Sequence, residues 1–151
     1  MLEKLLLEIE KVEEKYGSKL NKPASNMKIN IFEKNVKDKF NNIMLPKQYI
    51  KFIKIVNGLD FNGLVIYGVD SCILEDGADE DVCGFIDTNE IWYENGWQKQ
   101  YIFFGDSDTG WYCFDLYKEM YVELDKPSGV VMNTYCDFNS MLEDVLKSRI
   151  N

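Results

Sequence analysis

Two aspartates in the stretch FFGDSDTGWYCFDL, residues 103–116, have a spacing that metal and phosphate chemistry both use. Asp106 and Asp108 are one residue apart, and Gly110 follows them. Calcium loops supply oxygen ligands from alternate positions. Enzymes with an aspartate nucleophile place a D-x-D motif directly after an apolar strand. The residues around the pair decide whether either chemistry applies.

The flanking residues argue against both kinds of site. An EF-hand loop that began at Asp106 would need glycine at its sixth position, where this chain has Trp111, and it would need helices on both sides. An aspartate nucleophile would follow its strand directly, whereas Gly105 intervenes here. Asp, Ser, Thr and Gly are turn-forming residues, so the stretch predicts a hairpin. Asp106 and Asp108 remain candidates for contact with a partner.

The chain contains no histidine, which excludes Ser-His-Asp and Cys-His catalysis and histidine-ligated zinc. No two of the four cysteines form a C-x-x-C pair, so we expect neither a zinc ribbon nor a thioredoxin-type site. Without an export signal we expect a reducing compartment and free thiols. We therefore predict no catalytic residue, no cofactor and no metal. One enzymatic alternative stays open: a small-ligand or metal-dependent enzyme that uses carboxylates in the loops 60–63 and 106–108.

The negative charge is concentrated in one segment. The net charge is -9, and residues 55–98 hold ten of the 26 acids and no Lys or Arg. Such a segment repels nucleic acid and favours a cationic protein partner, although an acidic run is often only a solvated face. The candidate contact residues of this segment are Asp70, Glu75, Asp76, Asp79, Glu80, Asp81, Trp92, Tyr93 and Trp97.

The hydrophobic periodicity predicts the elements that hold these residues. Helical spacing occurs in residues 2–16, 46–56 and 138–150, and Asn30 with Glu33 resembles a capping box for a helix that ends near Phe40. Residues rich in β-formers occupy 63–69, 91–97, 101–105, 111–117, 120–124 and 130–135, with a possible hairpin turn at Asn95-Gly96.

Strands grouped together between helices indicate an α+β fold. We predict an antiparallel or mixed sheet of five or six strands, with N-terminal helices and a C-terminal helix packed on it. A chain of 151 residues fits one domain, residues 1–151. Charges interrupt every apolar run at the N-terminus, so we expect neither a signal peptide nor a membrane span, and a cytoplasmic location.

Several motifs, taken in order, resemble one family. LPKQYIKFIKIVNG, residues 45–58, resembles the Leu-Pro-x-x-Tyr signature of the SUKH superfamily, the Smi/Knr-type proteins. GLVIYGV, FFGDSDTGWYCFDL, YVELDKPSGVV and DFNSMLEDVL follow as its later segments do. The resemblance covers residues 29–150. NGLDFNGLVIYGVD is similar to the bacterial YrhA-type branch, of which residues 1–28 would be an N-terminal addition.

The resemblance implies a small α+β domain without catalytic residues. Many bacterial members are proposed or shown to be immunity proteins, which bind and neutralise a toxin such as a nuclease. Together with the acidic segment, the resemblance predicts a cytoplasmic immunity protein whose partner is a cognate toxin with a basic surface. Toxin contacts vary among members, so the resemblance assigns no contact residue, and it does not decide whether the chain self-associates.

Overall fold

A computed structural model describes residues 1–70 and 82–150 of the chain. Within these ranges, helices and strands occur in groups along the chain, and the strand order in the sheet follows the chain order. The elements are α1 (Leu2–Lys15), α2 (Asn26–Lys39), α3 (Lys47–Ile55), β1 (Leu59–Phe61), β2 (Leu64–Ile66), α4 (Phe85–Trp92), a 3-10 helix (Gly96–Gln100), β3 (Tyr101–Asp106), β4 (Gly110–Asp115), β5 (Met120–Asp125), β6 (Val131–Tyr135) and α5 (Phe138–Ile150). This six-stranded antiparallel sheet with helices before and after it confirms the α+β prediction.

The chain forms two compact units, each assembled from separate stretches. Among the described residues, the sheet unit contains 1–20, 60–65 and 100–150, and the helical unit contains 21–59, 66–70 and 82–99. The prediction of one domain is not tested by this division and stays a prediction. Five predicted contact acids, Glu75, Asp76, Asp79, Glu80 and Asp81, lie outside the described residues.

The hairpin predicted from FFGDSDTGWYCFDL is present in the sheet unit. β3 and β4 pair antiparallel, with Asp106 opposite Trp111, and the Ser107 N–H donates to the Gly110 carbonyl at 2.8 Å. Ser107 is buried and its hydroxyl lies 3.1 Å from the hydroxyl of Tyr112. The aspartate stretch is therefore a turn between two strands, as its residue types indicated.

Aromatic contacts join helix α5 to the sheet. The ring of Phe138 lies 5.3 Å from that of Phe104 on β3 and 6.4 Å from that of Tyr121 on β5, centroid to centroid. Both contacts are edge-on, an arrangement that aromatic rings prefer. Because Phe138 and Phe104 are almost fully buried, this cluster is the core of the sheet unit on the side of α5.

Two local predictions were wrong. The segment 91–97 is not a strand, and Asn95-Gly96 is not a hairpin turn, because α4 ends at Trp92 and a 3-10 helix begins at Gly96. The Asn-Gly hairpin turn occurs instead at Asn62-Gly63, where both φ angles are positive, 49° and 81°. Positive φ at both central residues is the geometry of the two-residue turn that suits a strand pair.

The start of helix α2 also differs from the prediction. The cap is Ser25, whose hydroxyl accepts the Lys28 N–H at 3.3 Å, and not Asn30. The earlier start follows from Ile29, which is buried with Phe32 and Val36 at helical spacing. A capping box at Asn30 would have left Ile29 outside the helix and unable to share that buried face.

Candidate interaction surface

Among the described residues of the acidic segment, those on helix α4 include exposed acids. The position of α4 is fixed by Phe85. The Phe85 ring is fully buried in the helical unit. Its centroid lies 5.7 Å from those of Phe32 and Tyr49 and 6.3 Å from that of Phe40. One side of α4 is therefore anchored by aromatic contacts, and the opposite side faces solvent.

The solvent side of α4, together with the turn that follows it, combines three carboxylates with one large apolar side chain. Asp87, Glu90, Ile91 and Glu94 are all exposed, and we call these four residues the α4 face. Asp87, Glu90 and Ile91 lie at helical spacing on one side of α4. Glu94 follows in the turn after α4, where its N–H donates to the Ile91 carbonyl at 3.2 Å. Ile91 is 57% exposed. A carboxylate of this face, Glu90, pairs with Lys39 at 3.6 Å, an exposed contact that contributes little stability.

None of these four residues is among the contacts predicted from the sequence, although three of them are acids of the acidic segment. The helical spacing of the acids was the signal that identified a common face. Of the predicted aromatic contacts, Trp97 is 45% exposed in the 3-10 helix that follows. Trp92 and Tyr93 are half-buried, and the Tyr93 ring lies 5.7 Å from that of Phe40.

Asp70 differs from the other predicted contacts because it is buried. Only 1% of it is exposed. Its carboxylate accepts the N–H groups of Ile86 and Asp87, both at 3.0 Å. These donors belong to the first turn of α4, whose own N-cap, Gly84, makes no side-chain hydrogen bond. Asp70 thus caps α4 from a distant part of the chain, and we do not retain it among the candidate contacts.

The acid–base behaviour of Asp70 gives a pH-dependent prediction. Burial raises the pKa of this carboxyl above its usual value of 3.8, despite the hydrogen bonds from Asp87 and Ile86. The stability that Asp70 contributes is therefore fully present below pH 3.8 and is lost as the pH rises through the folded-state pKa. Asp70→Asn cannot ionise, so the stability advantage of the wild type over this variant should be largest in acid and should shrink toward neutral pH. Urea unfolding of both proteins between about pH 3 and pH 7 measures this difference, and an advantage that grows with pH would contradict the assignment.

A buried polar chain holds the segment that leads to Asp70. The Tyr49 hydroxyl donates to the Tyr67 carbonyl at 2.8 Å, and the Trp92 indole N–H donates to the Tyr67 hydroxyl at 3.0 Å. Burial raises the pKa of the Tyr49 hydroxyl well above its usual value, and the nearby charge of Asp70 adds to this. The hydroxyl therefore stays protonated and able to donate. Trp92 therefore holds the end of α4 to the segment around Tyr67.

The loops of the enzymatic alternative lie close together in the sheet unit. A methyl group built on Gly63 would lie 4.0 Å from Asp108 Oδ1 and 3.6 Å from Arg149 Nη1. Asn62 and Arg149 exchange two hydrogen bonds: the Asn62 amide donates to the Arg149 carbonyl at 2.9 Å, and the Arg149 guanidinium donates to the Asn62 carbonyl at 3.1 Å. These contacts tie the hairpin turn to the last helix.

The two aspartates of the hairpin differ in their surroundings. The Asp106 carboxylate lies 3.5 Å from the Lys126 ammonium, which also donates to the Ser107 carbonyl at 3.1 Å. Asp108 is exposed. Within residues 1–70 and 82–150, no three side chains of Cys, Asp or Glu are placed so that they could hold a metal ion. Because Asp108 is exposed whereas Asp106 lies against Lys126, Asp108 is the member of the pair that is better placed to meet a partner.

Comparison with known proteins identifies one relationship. A model of the SMI1 / KNR4 family (SUKH-1) matches residues 23–144 of the chain. A search of the curated proteins found no match. In the part of the chain that the structure describes, no helix is both long enough and apolar enough to cross a membrane.

Proposed function

Because the chain belongs to the SMI1 / KNR4 family (SUKH-1), we propose that it is a non-catalytic binding domain that neutralises a bacterial toxin by direct contact in the cytoplasm. The observation that carries this proposal is the α4 face, where three exposed carboxylates lie within four residues of the exposed Ile91. Placement in the YrhA-type branch stays a prediction.

The composition of the α4 face suits a protein partner with a basic surface. Interfaces commonly have an apolar centre and a polar rim, and aromatic side chains often contribute most of the binding energy. Ile91 supplies an apolar centre, Trp97 is an exposed aromatic side chain close to it in the sequence, and the carboxylates supply the charge. A toxin that acts on nucleic acid needs cationic side chains to approach phosphates, so an acidic protein on that surface would block access.

We predict that reversing the charge of the α4 face abolishes partner binding. The triple variant Asp87→Lys, Glu90→Lys and Glu94→Lys should weaken binding by about 100-fold or more, because like charges then oppose each other across the interface. The partner is the product of the neighbouring gene, captured at low salt. Its affinity is measured by surface plasmon resonance over a series of salt concentrations, where wild-type binding should weaken as salt rises.

A matched control has the same change in net charge at other exposed acids, Glu3→Lys, Glu14→Lys and Asp38→Lys. This triple variant should keep its affinity within a few-fold. Equal losses in the two triple variants would show that only the net charge matters. Failure to capture a cationic partner, together with undiminished toxicity of that gene product, would refute the neutralising role.

A second candidate is a small-ligand protein, favoured by the approach of the loops around Gly63 and Asp108. Binding there would stabilise the folded chain, so a thermal-shift screen with calcium, magnesium and small anions tests it. A rise in melting temperature that Asp108→Asn abolishes would support this candidate over a purely protein-binding role. A flat response, with the toxin still captured, would support the neutralising role.

A further inference from the structure

The last strand of the sheet has one unpaired edge among the described strands. β6 pairs with β5, with Thr134 opposite Val122 and Asn133 opposite Glu123, and the strand order ends at β6. In the described part of the chain no other strand lies along its outer side. A row of backbone N–H and C=O groups therefore faces outward, and such a row can pair with another chain.

The edge of β6 lacks two of the features that usually protect an exposed strand, charge and proline. Residues 130–135, VVMNTY, contain no charge and no proline. Val130 is 59% exposed and Met132 is 57% exposed. The pairing with β5 shifts register near Leu124, which interrupts only the first part of the strand. From Asn133 to Tyr135 the pairing is regular, so the edge is suited to accept a further strand.

The charges beside this edge indicate what kind of strand it would accept. The Asn133 amide donates to the Glu123 carboxylate at 2.8 Å, and the Tyr135 hydroxyl donates to the Asp144 carboxylate at 2.7 Å. Asn133 and Tyr135 are two residues apart, so they lie on the same face of the sheet. One face of the edge is thus bordered by two carboxylates.

We propose that the outer edge of β6 binds an extended segment of a partner protein, which adds to the sheet as a seventh strand. Its cationic side chains would lie on the face of Asn133 and Tyr135, next to Glu123 and Asp144. Its apolar side chains would alternate onto the opposite face, which carries Thr134. Strand addition of this kind gains affinity from main-chain hydrogen bonds and specificity from alternate side chains. A second copy of this chain is disfavoured, because it would bring the same carboxylates toward one another.

The inference does not require that the partner is a toxin, and a defined peptide tests it. The probe is a fluorescent peptide of eight residues that alternates Lys and Val, capped at both ends, with a matched peptide that alternates Glu and Val. Fluorescence anisotropy at low salt should show the Lys peptide binding at least about tenfold tighter than the Glu peptide. The double variant Glu123→Gln and Asp144→Asn should remove most of that preference.

Two adjacent proline variants separate pairing at the edge from damage to the fold. Neighbouring residues of a strand direct their N–H groups to opposite sides, so one of Asn133→Pro and Thr134→Pro breaks a bond to β5 and the other removes an outward donor. The variant that keeps the wild-type melting temperature is the informative one. It should bind the Lys peptide at least about tenfold more weakly.

Several outcomes would overturn the proposal. Equal binding of the Lys and Glu peptides would exclude the role of the two carboxylates. Undiminished binding by the proline variant with the wild-type melting temperature would exclude pairing at the edge. A dimer seen by analytical ultracentrifugation, and lost in that same variant, would assign the edge to a second copy. The triple variant of the α4 face should bind the peptide normally, so failure of this proposal is distinguishable from failure of the neutralising role.

Discussion

Phe85→Ala is expected to lower the free energy of unfolding by about 3–5 kcal/mol, as removal of a fully buried aromatic ring does in other proteins. The ring is in contact with Phe32 on α2, Tyr49 on α3 and Phe40, the residue that follows α2. The cavity left by the ring cannot close unless these elements move together. Because Phe85 is the first residue of α4, the variant should also loosen the α4 face.

The matched control for Phe85→Ala is Ile91→Ala on the same helix. Ile91 is 57% exposed, so its truncation should change stability by no more than about 0.5 kcal/mol. Urea unfolding followed by tryptophan fluorescence measures both variants at one pH. Alanine has a higher helix propensity than either residue it replaces, so propensity cannot explain a loss in either variant. Similar losses in the two variants would therefore contradict the assignment of the stability of α4 to its anchored side.

Much of the sheet unit could be predicted from the sequence, because its information is local. β3 to β6 are short runs of β-formers, and each is followed by turn residues such as those at 107–109. α5 has buried residues Phe138, Met141 and Val145 at helical spacing. In these segments the local sequence preference and the tertiary contacts favour the same secondary structure, so the local preference alone predicts it.

Helix α4 could not be predicted in the same way, because distant residues determine it. Ile91, Trp92 and Tyr93 favour a strand by their types alone. What stabilises the helix is the anchoring of Phe85 and the carboxylate of Asp70, which accepts two N–H groups of the first turn. Neither contact can be read from the order of the residues, and for the same reason Asp70 was expected on the surface.

The family signature around residues 45–58 is explained by structural contacts within the helical unit. Tyr49 donates to the Tyr67 carbonyl, and Asn57 Oδ1 accepts the Val69 N–H at 2.8 Å. Gly58 has a φ of 78°, and a methyl group there would lie 3.1 Å from the Ile66 carbonyl oxygen. These residues hold the segment 66–70, which ends at Asp70. The signature therefore secures the position of α4 within the helical unit.

Gly68→Ala is expected to destabilise the protein by about 3 kcal/mol, at the upper end of the cost of overpacking. A methyl group at this position would lie 2.5 Å from Asn57 Oδ1, 2.9 Å from the Asn57 carbonyl carbon and 3.0 Å from its oxygen. Gly68 is also held from the other side, because its N–H donates to the Cys83 carbonyl and its carbonyl accepts the Phe85 N–H. The segment cannot move away from Asn57 without breaking these bonds. Gly96→Ala is the control, since a methyl group there has no neighbour within 4 Å.

A double-mutant cycle with Asn57→Ala locates the source of that cost. Asn57→Ala alone should cost about 1–3 kcal/mol, because it leaves the Val69 N–H buried without its acceptor. In that background the methyl group of Gly68→Ala no longer meets Asn57 Oδ1. The double variant should therefore lose about 1 kcal/mol less stability than the sum of the losses of the two single variants. A substantial cost should remain, because the contacts with the Asn57 backbone persist. If Gly68→Ala became harmless in that background, the close approach of the two backbones would not be what requires glycine at position 68.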